Sequence, residues 1–332
     1  MGERTLEELS PCVHDSHRVK VLYIAGWGRS GSTILGRILG QVEGFSPVGE
    51  LRYIWERGVI EDRLCSCGAL FSGCPVWQEI LARTFGSTGN VDAERLAATA
   101  ERGLRTRHLV LWPGQRPLQA RLARLGEYLK TLGRLYRSVQ EVTGSRVIVD
   151  TSKFPSYAYL LQHTPGIELY VLHLVRDPRA VAYSWETRRK HRGEGSDGFM
   201  TPHGSVESSL VWSEWNLAIE SVWKRRRKRY MLLRYEDFVE APQSSLRDIL
   251  RFAGEGTAEL FFEDERRASL ETSHIFSGNP DRFLSGTVTI KRDDGWKRDM
   301  KAAKQAMVTS LTWPGLIHYG YSLRPQRDLL RR

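Results

Sequence analysis

The amino-acid sequence predicts an α/β fold in which helices flank a central parallel sheet. Short apolar runs with β-branched residues alternate with longer helical patterns, and polar clusters follow several of the runs. A chain of 332 residues is long enough to bury a core without metal or disulfide staples. Because ligands of parallel sheets gather beyond the carboxyl ends of the strands, we expect the functional site at these polar clusters.

Four apolar runs are the predicted strands of this sheet. They cover Val19–Ala25, Arg146–Val149, Glu168–Val175 and Met231–Leu233. The main predicted helices cover residues 178–192, 206–228 and 243–253, together with an Arg-rich helical pattern from 91 to 142. The sequence thus alternates between strand and helix as a parallel sheet requires.

The chain is predicted to form a single domain over residues 19–325, preceded by a polar leader at residues 1–18. Residues 44–143 are expected to be an insertion, irregular over 44–82 and helical beyond. The exposed basic run Lys224–Arg229 is interpreted as the solvated end of a helix, with a nucleic-acid patch as the alternative.

Charge and composition narrow the classes of function. The formal net charge is +10, with 49 Lys and Arg against 39 Asp and Glu, which favours nucleic acid, anionic lipid or a polyphosphorylated small molecule as partner. No apolar run approaches the roughly eighteen residues of a transmembrane helix, and the N-terminus is polar. We therefore expect no transmembrane segment, a cytoplasmic location and reduced cysteines.

The segment that follows the first predicted strand indicates an anion site. It reads Gly26-Trp27-Gly28-Arg29-Ser30-Gly31-Ser32-Thr33 and leads into a helix. The glycines permit a tight turn, and helix N–H groups, the Arg29 guanidinium and three hydroxyls can hold an anion. A Walker A loop has lysine after its second glycine, where this chain has Ser32, so the loop suits one terminal anion rather than a triphosphate.

A second anion site is predicted after the third strand. Arg176 follows that strand, and Ser184 comes eight residues later, about two helical turns along the next helix. The hydroxyl can then share an anion with the guanidinium. The alternative is that Arg176 and Asp177 form a structural ion pair that caps the helix.

Together the two segments resemble those of the sulfotransferases that use 3′-phosphoadenosine 5′-phosphosulfate (PAPS). The first is similar to the phosphosulfate loop of tyrosylprotein, carbohydrate and bacterial sulfotransferases, and the Arg176–Ser184 pair to the motif that binds the 3′-phosphate. The resemblance spans roughly residues 19–300. It implies a P-loop-NTPase-like fold and the transfer of a sulfuryl group from PAPS to an acceptor hydroxyl, with no metal required.

The resemblance also implies roles for later residues. Lys153 would lie over the transferring group, and Tyr235 would approach the adenosine. The segments Ser277–Phe283 and Lys291–Trp296 look like the loop that closes over the nucleotide, which makes Arg282 and Lys291 candidate contacts. The full predicted binding set is Gly28, Arg29, Ser30, Gly31, Ser32, Thr33, Arg176, Ser184, Tyr235, Arg282 and Lys291.

Glu50 is the predicted general base, beside Arg29 and Lys153 as the catalytic cations. It lies twenty-one residues after Arg29, as the glutamate of tyrosylprotein sulfotransferases does after its loop arginine. Phenol-type sulfotransferases carry a histidine two residues after the lysine, but here that position is Pro155. A carboxylate between two cations should have a lowered pKa. Asp150 and His163 are the competing bases.

The acceptor is expected to be a carbohydrate, a glycolipid or a small natural product, bound by the insertion at residues 44–143. A nucleotide kinase of the P-loop type and a basic nucleic-acid-binding protein remain the alternatives, although no nucleic-acid partner is expected. Tryptophans could line the acceptor pocket, but most are expected in the core: Trp55, Trp77, Trp112, Trp185, Trp212 and Trp215.

Three cysteines raise the question of zinc. Cys65, Cys67 and Cys74 offer three thiolates, and Cys12 or a histidine could be the fourth ligand. Their spacing lacks the Cys-x2–4-Cys pairs usual in zinc sites, so the sequence favours a structural turn without metal.

Overall fold

Five parallel strands form the central sheet in the computed structural model, which describes residues 18–111, 115–187, 203–259 and 261–324. The strands are β1 (Val19–Ala25), β2 (Phe45–Gly49), β3 (Val147–Lys153), β4 (Ile167–Val175) and β5 (Tyr230–Arg234). Their order is β2-β3-β1-β4-β5, and each neighbouring pair is parallel. Since all carboxyl ends meet at one edge, the predicted α/β fold is confirmed.

Helices surround the sheet. In chain order they are α1 (Ser32–Leu39), α2 (Pro75–Phe85), α3 (Ala93–Gly103), α4 (Thr106–Leu111), α5 (Gln115–Arg124), α6 (Gly126–Thr143), α7 (Pro155–Gln162), α8 (Pro178–Glu186), α9 (Ser205–Trp223), α10 (Tyr235–Glu240), α11 (Pro242–Phe252), α12 (Gly295–Asp299) and α13 (Ala302–His318). A separate antiparallel pair consists of β6 (Arg267–Leu270) and β7 (Gly286–Thr289). Within the described ranges, no helix is both long enough and apolar enough to cross a membrane.

The central strand β1 is covered on both faces. Val21 and Tyr23 belong to one apolar cluster, which includes residues of α6, α7 and α9. Leu22 and Ile24 point the other way, into a cluster with residues of α1, α10 and α11. Side chains alternate between the two faces of a strand, so a strand buried on both sides is apolar along most of its length. This is why β1 and β4 are the clearest strands in the sequence.

The structure differs from the sequence-based prediction at several boundaries. The stretch 44–82, expected to be irregular, supplies the edge strand β2. The strand predicted to end at Val149 continues to Lys153, and the helix predicted over 206–228 ends at Trp223. The basic run Lys224–Arg229 therefore forms a turn after the helix, and its first five residues are exposed.

Two predictions fall on parts of the chain outside the described residues. These are the polar leader, apart from Arg18, and the last part of the helix predicted over 178–192, which the structure describes only as α8 and Thr187.

Candidate active site

A cavity of about 630 Å³ opens at the carboxyl edge of the sheet. The loop after β1 forms one wall, Glu50 follows β2, and Lys153 is the last residue of β3. The segment 278–281 closes another side. The cavity is lined by Trp27, Gly28, Arg29, Gly31, Ser32, Thr33, Ile34, Glu50, Tyr53, Arg57, Arg63, Lys153, Phe154, Trp185, His203, Val211, Glu214, Trp215, Gly278, Asn279 and Asp281.

The loop between β1 and α1 has a constrained backbone. Gly31 caps α1 with a φ of +88°, and a Cβ atom placed there would lie 2.6 Å from the Tyr235 ring. Arg29 also has a positive φ, of 69°, which is uncommon for a residue with a side chain. Such conformations persist where the surrounding structure enforces them, and they cluster at functional sites. The loop is therefore shaped to hold Arg29 and the amino end of α1 beside the cavity.

The two predicted anion segments meet at Arg29. Arg176 donates a hydrogen bond from Nη1 to the Arg29 carbonyl oxygen at 2.8 Å. The Nε of Arg29 donates to Ser184 Oγ at 3.0 Å. Arg176 and Ser184 thus both contact the loop, although neither belongs to the lining of the cavity.

The predicted alternative for Arg176 does not describe its position. Asp177 caps α8 by accepting from the Arg179 N–H at 2.9 Å, and its carboxylate pairs with the Arg179 side chain at 2.7 Å. Arg176 pairs instead with Asp293 at 3.1 Å, and its guanidinium lies 4.5 Å from the centre of the Tyr235 ring. Arg176 therefore faces the loop, while Arg179 forms the structural pair.

Glu50 and Lys153 form an ion pair on the cavity wall. Lys153 Nζ donates to Glu50 Oε1 and to the Thr151 carbonyl oxygen, the latter at 3.0 Å. The Lys153 backbone has a φ of +72°, and its carbonyl oxygen accepts from Gly26 N–H at 3.2 Å. This hydrogen bond ties the end of β3 to the start of the anion loop, so Lys153 and Arg29 are held on the same side of the sheet.

Glu50 has a second cationic neighbour that the sequence did not reveal. Arg57 donates from Nη1 to Glu50 Oε2 and to Ser277 Oγ, both at 3.1 Å. It belongs to a π-helix over Ile54–Ile60, a rare conformation that is frequent at functional sites. Burial raises the pKa of Glu50, but the charges of Lys153 and Arg57 outweigh this effect and hold the pKa below its ordinary value.

The two competing bases occupy different surroundings. Asp150 is fully buried and accepts hydrogen bonds from the Tyr136 hydroxyl and, at 2.7 Å, from the Ser152 N–H. Burial raises the pKa of Asp150 to about 6. His163 is exposed, at the end of α7, with Nδ1 2.8 Å from the Tyr159 carbonyl oxygen. Neither residue lines the cavity, whereas Glu50 does.

The remaining predicted contacts divide into near and distant residues. Ser30 lies in the loop, but its hydroxyl donates to the Trp27 carbonyl oxygen at 2.8 Å. Arg282 is buried and donates to the Gly278 carbonyl oxygen at 2.8 Å, which stiffens the segment at the cavity mouth. Lys291 is exposed and lies outside the cavity lining. The structure thus brings Arg282 behind the cavity wall and leaves Lys291 at the surface.

Aromatic residues form a wall that the sequence only partly indicated. Trp27 and Trp215 lie with ring centroids 4.9 Å apart, and Phe154 lies 4.5 Å from Trp215. Trp185 and Trp215 line the cavity, whereas Trp55, Trp77 and Trp212 are buried in the core, and Trp112 lies outside the described residues. Most of the described tryptophans on the predicted list therefore do fill the core.

Comparison with known proteins places this architecture among sulfotransferases. The sulfotransferase domain of the Synechococcus PCC 7002 olefin synthase superposes with a TM-score of 0.50 at 20% sequence identity, covering 93% of this chain and 98% of that one. At that identity the likeness shows the fold alone.

Sequence relatives point to the same family. Carbohydrate sulfotransferase 5 of Mus musculus is 32% identical over 195 residues, which cover 52% of this chain and 47% of that protein. Carbohydrate sulfotransferase 3 of Homo sapiens is 29% identical over 180 residues, 49% of this chain and 36% of that protein. The chain therefore spans about half or less of the length of these relatives.

The sequence profile of the sulfotransferase family matches residues 22–259, which include the second half of β1 with the anion loop, Glu50, Lys153 and the Arg176–Ser184 pair. The match covers most of the chain and confirms the resemblance carried by the two anion segments. The chain belongs to the sulfotransferase family.

Proposed function

We propose that the protein transfers the sulfuryl group of PAPS to an acceptor hydroxyl. The observation that carries this proposal is the double contact of Arg29, which meets Arg176 through its carbonyl oxygen and Ser184 through its side chain. One crevice can then hold the 5′-phosphosulfate at the loop and the 3′-phosphate at Arg176. A loop that bound an unrelated anion would not need this second segment.

The residues present fit a doubly anionic adenosine compound. In the described part of the chain, the buried Nε of Arg176 has no hydrogen-bond partner, so it can still donate to a phosphate oxygen. Ser184 is buried and accepts from Arg29, and the Tyr235 ring lies against both Arg176 and Gly31. Gly28, Gly31, Ser32 and Thr33 line the cavity at the amino end of α1, where helix N–H groups favour an anion.

Sulfuryl transfer is an in-line displacement in which charge spreads over the peripheral oxygens, and bound PAPS supplies the activated group. Arg29 and Lys153 contribute fixed positive charge on the cavity wall, in the place where such charge stabilises the transition state. Their positions are set before the substrate binds, since the backbone holds both in strained conformations. The cations therefore act with little reorganisation.

Glu50 is the group that we assign to receive the acceptor proton. It lies on the cavity wall, and its lowered pKa keeps it ionised at neutral pH. Lys153 holds Oε1 and Arg57 holds Oε2, so the carboxylate is oriented by both oxygens. A general base needs hydrogen-bond reach to its proton before its pKa matters, and Asp150 does not reach the cavity.

For the acceptor we propose a saccharide hydroxyl. The aromatic residues Trp27, Phe154 and Trp215 line the cavity, and charged residues of both signs lie beside them, including Arg57, Arg63, Glu214 and Asp281. Aromatic faces that stack on sugar rings and polar groups that bind hydroxyls suit a carbohydrate. The similarity to carbohydrate sulfotransferases supports this class. An acceptor screen with labelled PAPS tests it, and sulfation of a glycolipid or a small natural product in place of a saccharide would contradict it.

Nucleotide binding without metal tests the proposed function. We expect adenosine 3′,5′-bisphosphate to bind the full chain by calorimetry in the presence of a chelator, and ATP with Mg²⁺ to bind far more weakly. Arg176→Ala should weaken binding of the bisphosphate, because the substitution removes the charge-assisted hydrogen bonds to the 3′-phosphate. The fold should remain intact. The matched control is Arg251→Ala, an exposed arginine paired with Asp248 at 3.0 Å.

Two results would contradict the proposal. Magnesium-dependent binding of ATP with no affinity for the bisphosphate would favour a nucleotide kinase. Equal affinities of the Arg176→Ala and Arg251→Ala variants would show that the two anion segments do not share one nucleotide.

The position of Asp293 leads to a further prediction about the 3′-phosphate site. Asp293 belongs to the loop that resembles the nucleotide-closing segment, and its carboxylate lies 3.1 Å from Arg176 Nη2. We expect Asp293→Asn to tighten binding of the bisphosphate roughly two- to five-fold, since the Asp293 carboxylate would compete with the phosphate for Arg176. The half-exposed ion pair contributes little to stability, so its loss should cost little. Calorimetry measures this change.

The neighbouring carboxylate provides the control for this prediction. Asp294 pairs with Lys297 at 3.2 Å and with Arg292 at 3.5 Å, so Asp294→Asn removes a similar charge without freeing Arg176. Weaker binding by Asp293→Asn would instead mean that Asp293 orients Arg176 toward the phosphate.

A further inference from the structure

We infer that Cys65, Cys67, Cys74 and His274 form a structural zinc site outside the cavity. One ligand atom from each of these four residues lies within 4.8 Å of all the others. Three thiolates and one imidazole are a donor set that structural zinc sites use. The sequence favoured a metal-free turn, whereas the convergence of these four ligand atoms favours zinc.

The measured separations agree with tetrahedral zinc. Zinc bound to sulfur at about 2.3 Å separates two ligand sulfurs by about 3.8 Å, and sulfur from nitrogen by about 3.6 Å. Here Cys67 Sγ and Cys74 Sγ are 3.8 Å apart, and Cys74 Sγ lies 3.3 Å from His274 Nδ1. Only small side-chain movements are needed to admit the ion.

The backbone around the cysteines is ordered by its own hydrogen bonds. Cys65 N–H donates to the Ala69 carbonyl oxygen at 2.8 Å, and Gly68 N–H donates to the Cys65 carbonyl oxygen at 2.9 Å. Gly68 has a φ of +93°, which a residue with a side chain rarely adopts. The loop therefore turns back tightly and directs Cys65 and Cys67 toward one point.

His274 is brought to this loop by a second set of contacts. Ser66 N–H donates to the Ile275 carbonyl oxygen and Ile275 N–H donates to Ser66 Oγ, both at 2.8 Å. Trp77 Nε1 donates to the His274 carbonyl oxygen at 2.7 Å. The histidine lies two hundred residues from Cys74 in sequence, so spacing alone could not identify it as the fourth ligand.

The surroundings indicate a structural site rather than a catalytic one. Cys65 and Cys74 are fully buried, and the rings of Phe71, Trp77 and Phe276 pack together beside them. None of the four ligands lines the active-site cavity. A closed site with four protein ligands has no open position for substrate, which is the arrangement of structural zinc. Catalysis by Arg29 and Lys153 remains independent of this metal.

The site nevertheless supports the catalytic carboxylate. The segment that begins at His274 continues through Ser277, whose carbonyl oxygen accepts from Glu50 N–H at 3.4 Å and whose hydroxyl accepts from Arg57. Gly49 has a φ of +78° and leaves no room for a Cβ atom, which would lie 2.6 Å from Ile275 Cγ2. Zinc would therefore join the cysteine loop to the segment that packs on Gly49 and Glu50.

Metal analysis of the purified full chain tests the inference directly. We expect elemental analysis by mass spectrometry to find one zinc ion per chain. When Co²⁺ replaces zinc, the visible absorption spectrum should be that of a tetrahedral ion with thiolate ligands. Cys67→Ser and His274→Ala should each weaken zinc binding by more than about 100-fold, beyond the loss typical of outer-shell changes. The controls are Cys12→Ser and His318→Ala, which should retain zinc.

Two results would contradict the proposed zinc site. A purified chain without zinc that also fails to give the Co²⁺ spectrum would overturn it, as would a Cys67–Cys74 disulfide found by mass spectrometry after alkylation of free thiols. If the ligand variants do not fold, two measurements on the unaltered chain test the site instead. One is the Co²⁺ spectrum, and the other is the number of thiols that resist alkylation until a chelator is added. These measurements use no nucleotide, so they stand or fall separately from sulfuryl transfer.

Discussion

Replacing Lys153 with alanine is expected to lower turnover by about 10²- to 10³-fold. The Lys153 ammonium lies on the cavity wall, and the carbonyl oxygen of the same residue is tied to the anion loop through Gly26. Removal of this preorganised charge leaves the sulfuryl oxygens and the leaving phosphate less stabilised in the transition state. Steady-state turnover with labelled PAPS measures the loss.

The same variant should change the pH dependence. Burial raises the pKa of Glu50, and among the neighbouring charges that of Lys153 lowers this pKa the most. Without Lys153 the pKa of Glu50 should therefore rise. Since the base must be ionised, activity is lost as the pH falls through that pKa, and the acid limb of kcat/KM should move to higher pH.

Lys20→Ala is the matched control. Lys20 forms an ion pair with Glu255 at 2.8 Å that is mostly buried, as the Lys153–Glu50 pair is, but it joins β1 to the turn after α11. It should keep normal turnover and an unshifted pH profile. A Lys153→Ala enzyme with the turnover of Lys20→Ala would remove Lys153 from the chemistry.

The parts of the fold that the sequence revealed are those buried on both sides. β1 and β4 are mostly apolar because each face of the sheet is covered. β2 reads Phe45-Ser46-Pro47-Val48-Gly49 and lies at the sheet edge, where Ser46 and Pro47 are only half-buried. An edge strand needs no apolar run and tolerates proline, so neither periodicity nor composition marked it.

The site was predictable where its residues are close in sequence or match a family motif. The anion loop and the Arg176–Ser184 pair have fixed spacings, so the sequence shows them. Arg57 reaches Glu50 through a π-helix, and His274 reaches the cysteines through distant backbone hydrogen bonds. Neither contact leaves a recognisable sequence pattern, because the π-helix that places Arg57 beside Glu50 is a rare conformation and His274 lies two hundred residues from Cys74.

Backbone strain was also beyond the sequence. Arg29 and Lys153 both adopt a positive φ, although neither is a glycine. The surrounding hydrogen bonds impose these conformations, as the contact between Gly26 and Lys153 illustrates. Strain of this kind at two proposed catalytic cations is consistent with a site fixed before substrate binds.

Replacing Glu50 with glutamine is expected to lower kcat by about 10²- to 10⁴-fold, the range for loss of a general base. The amide oxygen can still accept from Lys153, but the NH2 group beside Arg57 cannot accept, so the side chain keeps one of its two hydrogen bonds to cations and loses the ability to take a proton. Removing the negative charge beside two cations should leave binding of adenosine 3′,5′-bisphosphate unchanged or stronger. A fall in kcat without a loss of nucleotide affinity is therefore the expected pattern.

Glu255→Gln separates this effect from the loss of an ion pair. Glu255 accepts from Lys20 at 2.8 Å and from Arg146 at 3.1 Å, and these cations outweigh burial and lower its pKa, as Lys153 and Arg57 do for Glu50. Both variants should lose comparable thermal stability, but only Glu50→Gln should lose turnover. The unaltered enzyme should keep its kcat/KM down to a pH below the ordinary glutamate value of about 4.3, since a lowered pKa keeps the base ionised. Near-normal turnover of Glu50→Gln across that range would assign the proton to another group.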